Sequence, residues 1–131
     1  VSYNRILSLA VTNQNNKIII ACGFGGFYGG AVKIYNLEDN SFTELSKEAG
    51  GINGVEFIRH GSQLCLLSIN QDGKLKCRNM GGRTITSFSC DVQYWACLLT
   101  CEIGGEPCIL AGSNKGEIRI WKAHASPTVT G

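Results

Sequence analysis

The stretch EIRIWKA at residues 117–123 occurs twice more in degenerate form, as AVKIYNL at 31–37 and KLKCRNM at 74–80. The central residues of the three copies are 43 positions apart, and they are Tyr35, Arg78 and Trp121. A glycine precedes each copy at the same interval. The three central residues and the three glycines share one register, which indicates an internal repeat with a period of 43 residues.

A second set of residues tests this period. Ile52, Val55 and Phe57 of the second unit return 43 residues later as Trp95, Leu98 and Thr100, whereas Ile6, Leu9 and Val11 lie 46 residues earlier. The first unit therefore contains three extra residues. We predict that they lie in the glycine-rich stretch CGFGGFYGG at 22–30, as an enlarged turn where the other units have a short one.

Each unit divides into four short strands. The predicted strands are 6–11, 17–22, 31–37 and 41–45 in the first unit, 52–58, 63–69, 74–80 and 84–88 in the second, and 95–101, 107–113, 117–123 and 127–131 in the third. Continuous apolar runs such as QLCLLSI predict second strands that are buried on both faces. The connections NQDG at 70–73 and SNKG at 113–116 are typical of hairpin turns.

Four strands in each repeat of 40 to 45 residues are typical of β-propeller blades. The chain is therefore predicted to be all-β, with three four-stranded antiparallel sheets that form part of a larger propeller. The predicted blades cover residues 6–45, 52–88 and 95–131.

The third strands carry a resemblance to a known family. GEIRIWK at 116–122 resembles the strand that ends in Trp-Asp in WD-repeat propellers, with Trp121 in the tryptophan position. The dipeptides in the corresponding places are Tyr35-Asn36, Arg78-Asn79 and Trp121-Lys122. The Gly-His that precedes each repeat in that family is absent, and the aspartate of the second turn is kept only as Asp72, with Lys115 in its place in the third unit. The resemblance implies a non-catalytic platform for protein binding.

Composition excludes several classes of function. Twelve basic and ten acidic residues give a net charge of +2 without a basic run, so a nucleic-acid partner is not expected. No apolar stretch approaches the length of a membrane span. The chain has seven cysteines, an odd number, and they lie mostly within apolar runs without a CxxC pair. We therefore expect buried free thiols and an intracellular, cytoplasmic location.

Neither a metal site, a cofactor nor a catalytic site is predicted. His60 and His124 are the only histidines, and neither stands at a motif spacing from a nucleophile or a zinc-ligating cysteine. A GxGxxG dinucleotide motif beginning at Gly23 would need glycine at position 28, where the chain has Tyr28.

The candidate binding residues lie in turns that are expected to share one rim of the propeller. In the glycine-rich stretch, the aromatic residues Phe24, Phe27 and Tyr28 either fold back onto the blade or anchor a partner. Tyr94 precedes the first strand of the third unit, and the adjacent Trp95 is either buried between blades or exposed at the rim. Asp72 and Lys115 occupy the turns of the second and third units.

The predicted function is a scaffold for one or more protein partners. Two alternatives remain, a lectin-like propeller that binds a ligand and a regulatory propeller segment of a multidomain enzyme. Three blades would leave two apolar end faces, which we expect to be covered by further blades of a longer chain or by another copy.

Overall fold

The computed structural model describes residues 5–26, 29–60, 62–89 and 95–122. These residues form strands and turns without any helix, and so they include no apolar helix long enough to cross a membrane. The strands are β1 Arg5–Gln14, β2 Lys17–Gly26, β3 Gly29–Asn36, β4 Ser41–Glu48, β5 Ile52–His60, β6 Gln63–Asn70, β7 Lys74–Asn79, β8 Thr84–Ser89, β9 Trp95–Ile103, β10 Glu106–Ser113 and β11 Ile118–Lys122. The prediction of an all-β chain is confirmed.

The strands form three antiparallel sheets in which each strand pairs with the next one along the chain. Sheet 1 contains β1 to β4, sheet 2 contains β5 to β8, and sheet 3 contains β9 to β11. The strand predicted at 127–131 lies outside the described residues. Several strands are longer than predicted because pairing continues up to the hairpin turn, as between Gln14 and Lys17.

Strand register confirms the insertion of three residues in the first unit. Ile20 of β2 lies opposite Tyr35 of β3, fifteen residues later. The equivalent pairs, Leu66 with Arg78 and Ile109 with Trp121, are only twelve residues apart. The extra residues therefore belong to the β2–β3 hairpin.

The prediction that residues 22–30 form an enlarged turn is wrong, because most of this stretch is strand. β2 continues to Gly26, which pairs with Gly29 at the start of β3. The glycines allow close approach by the neighbouring sheet. A Cβ atom on Gly30 would lie 2.5 Å from the carbonyl oxygen of Gly50, and one on Gly23 would lie 2.8 Å from that of Ile52. The inserted residues lengthen the hairpin instead of forming a loop.

One irregularity recurs at the beginning of each sheet. The register of the first strand shifts by one residue between Ile6 and Ser8, between Ile52 and Gly54, and opposite the step from Gly112 to Ser113. The bulged residues are Leu7, Asn53 and Ala96, which are separated by the repeat intervals of 46 and 43 residues. The repeat therefore includes a β-bulge at the same position of each first strand.

Two apolar clusters fill the spaces between the sheets. The first lies between sheets 1 and 2 and contains Ala10, Ala21, Val32, Ile34, Ile52, Val55 and Leu66. The second lies between sheets 2 and 3 and contains Leu67, Ile69, Leu75, Leu98, Ile109, Ala111 and Trp121. Adjacent residues of β6, Leu66 and Leu67, thus point into different clusters. Sheet 2 is buried on both faces, as its second strand predicted.

The sheets stack in a single direction. Sheet 3 presents Leu98, Ile109 and Trp121 to sheet 2, and sheet 2 presents two equivalent residues, Val55 and Leu66, to sheet 1. We call this side of each sheet the B face, and the opposite side the A face. In each internal interface, the A face of one sheet therefore packs against the B face of the next.

Candidate protein interaction site

The equivalent hairpins β2–β3, β6–β7 and β10–β11 lie at the same end of the three stacked sheets. Gly30 lies against Gly50 and Gly51, because a Cβ atom on Gly30 would be 2.5 Å from the Gly50 oxygen. The next turn reaches the same segment, since the backbone N–H of Gln71 donates a 3.0 Å hydrogen bond to the carbonyl oxygen of Gly51. We call this end of the stack, formed by the three hairpins together with Gly50 and Gly51, the rim.

The turns at 70–73 and 113–116 have the same internal hydrogen bonds. The Asn70 Oδ1 atom accepts bonds from the backbone N–H groups of Asp72 and Lys74 at 3.0 and 3.1 Å. In the third unit, Ser113 Oγ accepts two equivalent bonds at 3.2 Å. The fourth residue of each turn, Gly73 or Gly116, has a φ of 83°, which favours glycine. The two predicted hairpin turns are confirmed.

These turns display opposite charges at one equivalent position. Asp72 and Lys115 are both exposed, and each contributes only its backbone N–H group to the turn bonds named above. The side chains between the acceptor and the glycine are therefore available for contact with a partner.

The other predicted site residues have different outcomes. Phe24 lies within β2, half-buried, with the Lys33 ammonium 5.0 Å from its ring centre. Its alternation with Ile20 places it on the B face of sheet 1, so the structure does not bring it to the turns with Asp72 and Lys115. Phe27, Tyr28 and Tyr94 lie outside the described residues, as does the side chain of Trp95.

A buried ionic group that the sequence reading missed joins sheets 1 and 2. Arg78 donates to Glu48 Oε2 and to Ser68 Oγ, both at 2.9 Å, and Lys76 donates to Glu48 Oε1 at 3.0 Å. The side chains of Arg78 and Glu48 are almost completely buried, whereas that of Lys76 is partly exposed. A signal was present, because arginine stands where the other units have Tyr35 and Trp121.

The interface between sheets 2 and 3 contains a thiol pair. Burial is the main cause that raises the pKa of Cys77 from the ordinary value near 9 to about 11, and the neighbouring Cys65 contributes. The prediction of buried thiols holds for Cys22, Cys65 and Cys108, but Cys97 and Cys101 are exposed. Among the described residues, no group of His, Cys, Asp or Glu side chains has an arrangement that could hold a metal ion.

Apolar side chains are exposed on the two outer faces of the stack. On the B face of sheet 1, Val11, Ile20, Tyr35 and Phe42 form one row across all four strands, with Val11 68% and Phe42 58% exposed. On the A face of sheet 3, Leu99, Leu110 and Ile120 form a similar row, with Leu99 56% exposed. Sheet 2 has no such surface, because its neighbours cover both faces.

Neither a protein-family model nor a curated protein matches the sequence. The resemblance to WD-repeat propellers therefore remains a proposal.

Proposed function

We propose that the chain is a segment of a WD-repeat-like β-propeller that serves as a non-catalytic scaffold for protein partners. The single observation that carries this proposal is the rim, where rigid stacked sheets present equivalent turns whose exposed side chains differ. Function in such architectures concentrates on loops held by a rigid frame.

The turn chemistry supports recognition through side chains. Hydrogen bonds from backbone N–H groups to the side chain of Asn70 or Ser113, together with a glycine, determine the shape of each turn, so the side chains of Asp72 and Lys115 are not needed to hold it. Opposite charges at two equivalent positions of the rim favour one partner orientation over others, and they act mainly on association rate and specificity. The partner we propose is therefore a protein with a complementary charge pattern.

The six described cysteines are all free thiols. Because disulfides are rare in reducing compartments, we propose an intracellular, cytoplasmic location for the scaffold.

The test exchanges the charges of the two turns in the double variant Asp72→Lys/Lys115→Asp. Each new side chain is one that the equivalent turn already carries, so the fold and the net charge are retained. Each chain is used as bait in cell lysate, and captured proteins are identified by crosslinking and mass spectrometry. The exchanged chain should lose the partners that the unaltered chain captures.

The matched control exchanges charges at the opposite end of the sheets, in the variant Glu38→Lys/Arg83→Glu. Both positions are exposed residues of the β3–β4 and β7–β8 connections. This control should capture the same proteins as the unaltered chain. If the rim-exchange variant and the unaltered chain captured the same proteins, recognition through the rim would be refuted.

A further inference from the structure

We propose that the B face of sheet 1 binds the A face of sheet 3 of a second copy of this chain, so that two copies associate head to tail. The two outer faces are not arbitrary apolar surfaces. Each is the repeat equivalent of a face that is buried inside the molecule.

The register establishes this equivalence residue by residue. Leu9, Ile20 and Tyr35 on the B face of sheet 1 correspond to Val55, Leu66 and Arg78, the residues with which sheet 2 contacts sheet 1. The exposed A face of sheet 3 is likewise equivalent to the A face of sheet 2, which is buried against sheet 3. Its residues Leu99, Leu110, Ile118 and Ile120 correspond to Glu56, Leu67, Leu75 and Cys77 of sheet 2.

A specific pair shows how the outer faces fit. Inside the molecule, the backbone N–H and Oγ1 of Thr100 donate to Glu56 Oε2 at 3.0 and 3.1 Å across the interface between sheets 2 and 3. The equivalent residues on the outer faces are Val11, in the place of Thr100, and Leu99, in the place of Glu56. A polar pair inside the molecule is thus replaced by an apolar pair on the two exposed faces.

Side-chain size is complementary as well. In the interface between sheets 1 and 2, the same two positions hold Ala10 and Phe57, a small residue opposite a large one. In the proposed contact between two copies, Leu99 and Val11 would occupy these positions, and both are of intermediate size. Facing positions that conserve total volume are the ones that packed interfaces tolerate.

Two copies of the described sheets would give a closed assembly with both apolar faces covered. The three described sheets of each copy make six, within the four to eight blades of closed propellers, and a third copy would exceed that range. The number of copies therefore rests on the proposed propeller, whereas the contact between the two faces rests only on the register. Head-to-tail contacts of this kind close into rings when the rotation allows it.

The test uses two variants, Val11→Lys and Leu99→Glu, which change exposed residues of opposite outer faces. Light scattering after size-exclusion chromatography should give twice the 14.1 kDa chain mass for the unaltered protein and the single mass for each variant alone. An equimolar mixture should form a mixed dimer, because the new lysine then faces the new glutamate in one contact and the other contact is unaltered.

Cysteine alkylation provides a second measurement, since Cys97 and Cys101 lie on the A face of sheet 3 and are exposed in the single chain. Both thiols should be protected in the unaltered dimer and lose that protection in each variant. Circular dichroism should show the same β structure in all chains, with a higher melting temperature for the dimeric unaltered chain than for the monomeric variants.

Three results would overturn the proposal. They are a folded monomer for the unaltered chain, a dimer that Val11→Lys breaks but Leu99→Glu does not, and two monomeric variants that fail to form the mixed dimer. The rim exchange Asp72→Lys/Lys115→Asp should leave the dimer intact, so failure of rim recognition and failure of this contact are distinguishable.

Discussion

At the scale of single residues, Arg78 shows how one position of a repeat can be stabilised by different chemistry. Its equivalents are the aromatic residues Tyr35 and Trp121, yet Arg78 is buried to the same degree as Trp121. The guanidinium is accommodated because Glu48 and Ser68 accept its hydrogen bonds. A buried charge without such partners would be costly.

We predict that Glu48→Leu lowers the free energy of unfolding by about 3–5 kcal/mol, because it leaves the Arg78 charge buried without its carboxylate. Adding Arg78→Met should recover most of this loss, since two apolar residues of similar volume replace the ion pair. Urea unfolding measures both effects. The control Lys76→Met, at a partly exposed position, should cost about 1 kcal/mol or less. A double variant as unstable as Glu48→Leu alone would contradict this account.

The raised pKa of Cys77 predicts a loss of stability at alkaline pH. Between pH 9 and about 11 the thiol ionises in the unfolded chain, whereas burial keeps it protonated in the folded chain. The unfolded state then binds fewer protons, so the free energy of unfolding falls as pH rises through this window. Urea unfolding at several pH values should show a weaker pH dependence for Cys77→Ala than for the unaltered chain. The control Cys97→Ala removes a thiol that is exposed in the single chain and does not contribute to the raised pKa of Cys77, so it should retain the full dependence. Equal slopes in all three chains would exclude Cys77 as a cause.

At the scale of elements, the β2–β3 hairpin is built around close contact with the second sheet. Most of its glycines pair in regular strands without a positive φ, and only Gly29, with a φ of 114°, has a backbone conformation that favours glycine. The glycines leave room for the backbone at Gly50 and Gly51, which packs directly on the hairpin. A hairpin of ordinary residues at this place would push the two sheets apart.

Gly30→Ala should therefore lower the free energy of unfolding by about 1–3 kcal/mol, the usual cost of forcing extra atoms into a packed site. The added methyl group would meet two backbone oxygens at 2.5 Å, and backbone cannot move aside as a side chain can. The control Gly81→Ala has its nearest neighbour at 3.4 Å and should change stability by about 0.5 kcal/mol or less. Thermal or urea unfolding compares the two. Equal effects would contradict the close-packing explanation.

The strands could be predicted from the sequence because each carries its own signal. The apolar run of β6 and the glycine turns at 70–73 and 113–116 are local patterns, and the 43-residue register combined them into units. The glycine hairpin was misread because its reason lies in another unit. Nothing within residues 22–30 shows that Gly50 and Gly51 will press against them, and a glycine-rich stretch read alone favours a turn.

The candidate site was predictable only in part for the same reason. Asp72 and Lys115 were predicted as site residues from the resemblance to WD repeats and from turn motifs, and the shape of these turns depends on neighbouring residues alone. Phe24 was assigned to the same surface because it is close to the turn in sequence, but strand alternation places it on a sheet face. Glu48 and Arg78 form an ion pair between two sheets and are thirty residues apart in the sequence. The repeat pattern therefore indicates that Arg78 is unusual, but it does not indicate that Glu48 is its partner.

At the scale of the whole molecule, the described residues form a stack in which sheet 2 packs between sheets 1 and 3. One apolar cluster lies between sheets 1 and 2, and a separate one lies between sheets 2 and 3. Stability in such arrays is approximately a sum of unit and interface contributions. Damage to one interface should therefore remain local.

Adjacent residues of β6 test this independence. Leu66→Ala and Leu67→Ala remove the same atoms from opposite faces of one strand, and each should cost about 2–5 kcal/mol. Amide hydrogen exchange should increase mainly in sheet 1 for Leu66→Ala and mainly in sheet 3 for Leu67→Ala. The two variants serve as controls for each other. The same exchange pattern in both would mean that the three sheets open as one unit.

The repeated turn has a consequence for how this molecule can evolve. Its shape depends on an acceptor side chain at the first position and a glycine at the fourth, while the two intervening side chains are not part of that hydrogen-bonding pattern. We therefore expect selection to act differently on the two kinds of position, because a mutation at 70 or 73 changes the turn itself, whereas one at 72 or 115 leaves the turn's hydrogen bonds in place. Asp72 and Lys115 already have opposite charges on one backbone. The exposed side chains of the rim can thus change by drift at such positions while the hydrogen bonds of the turns are retained.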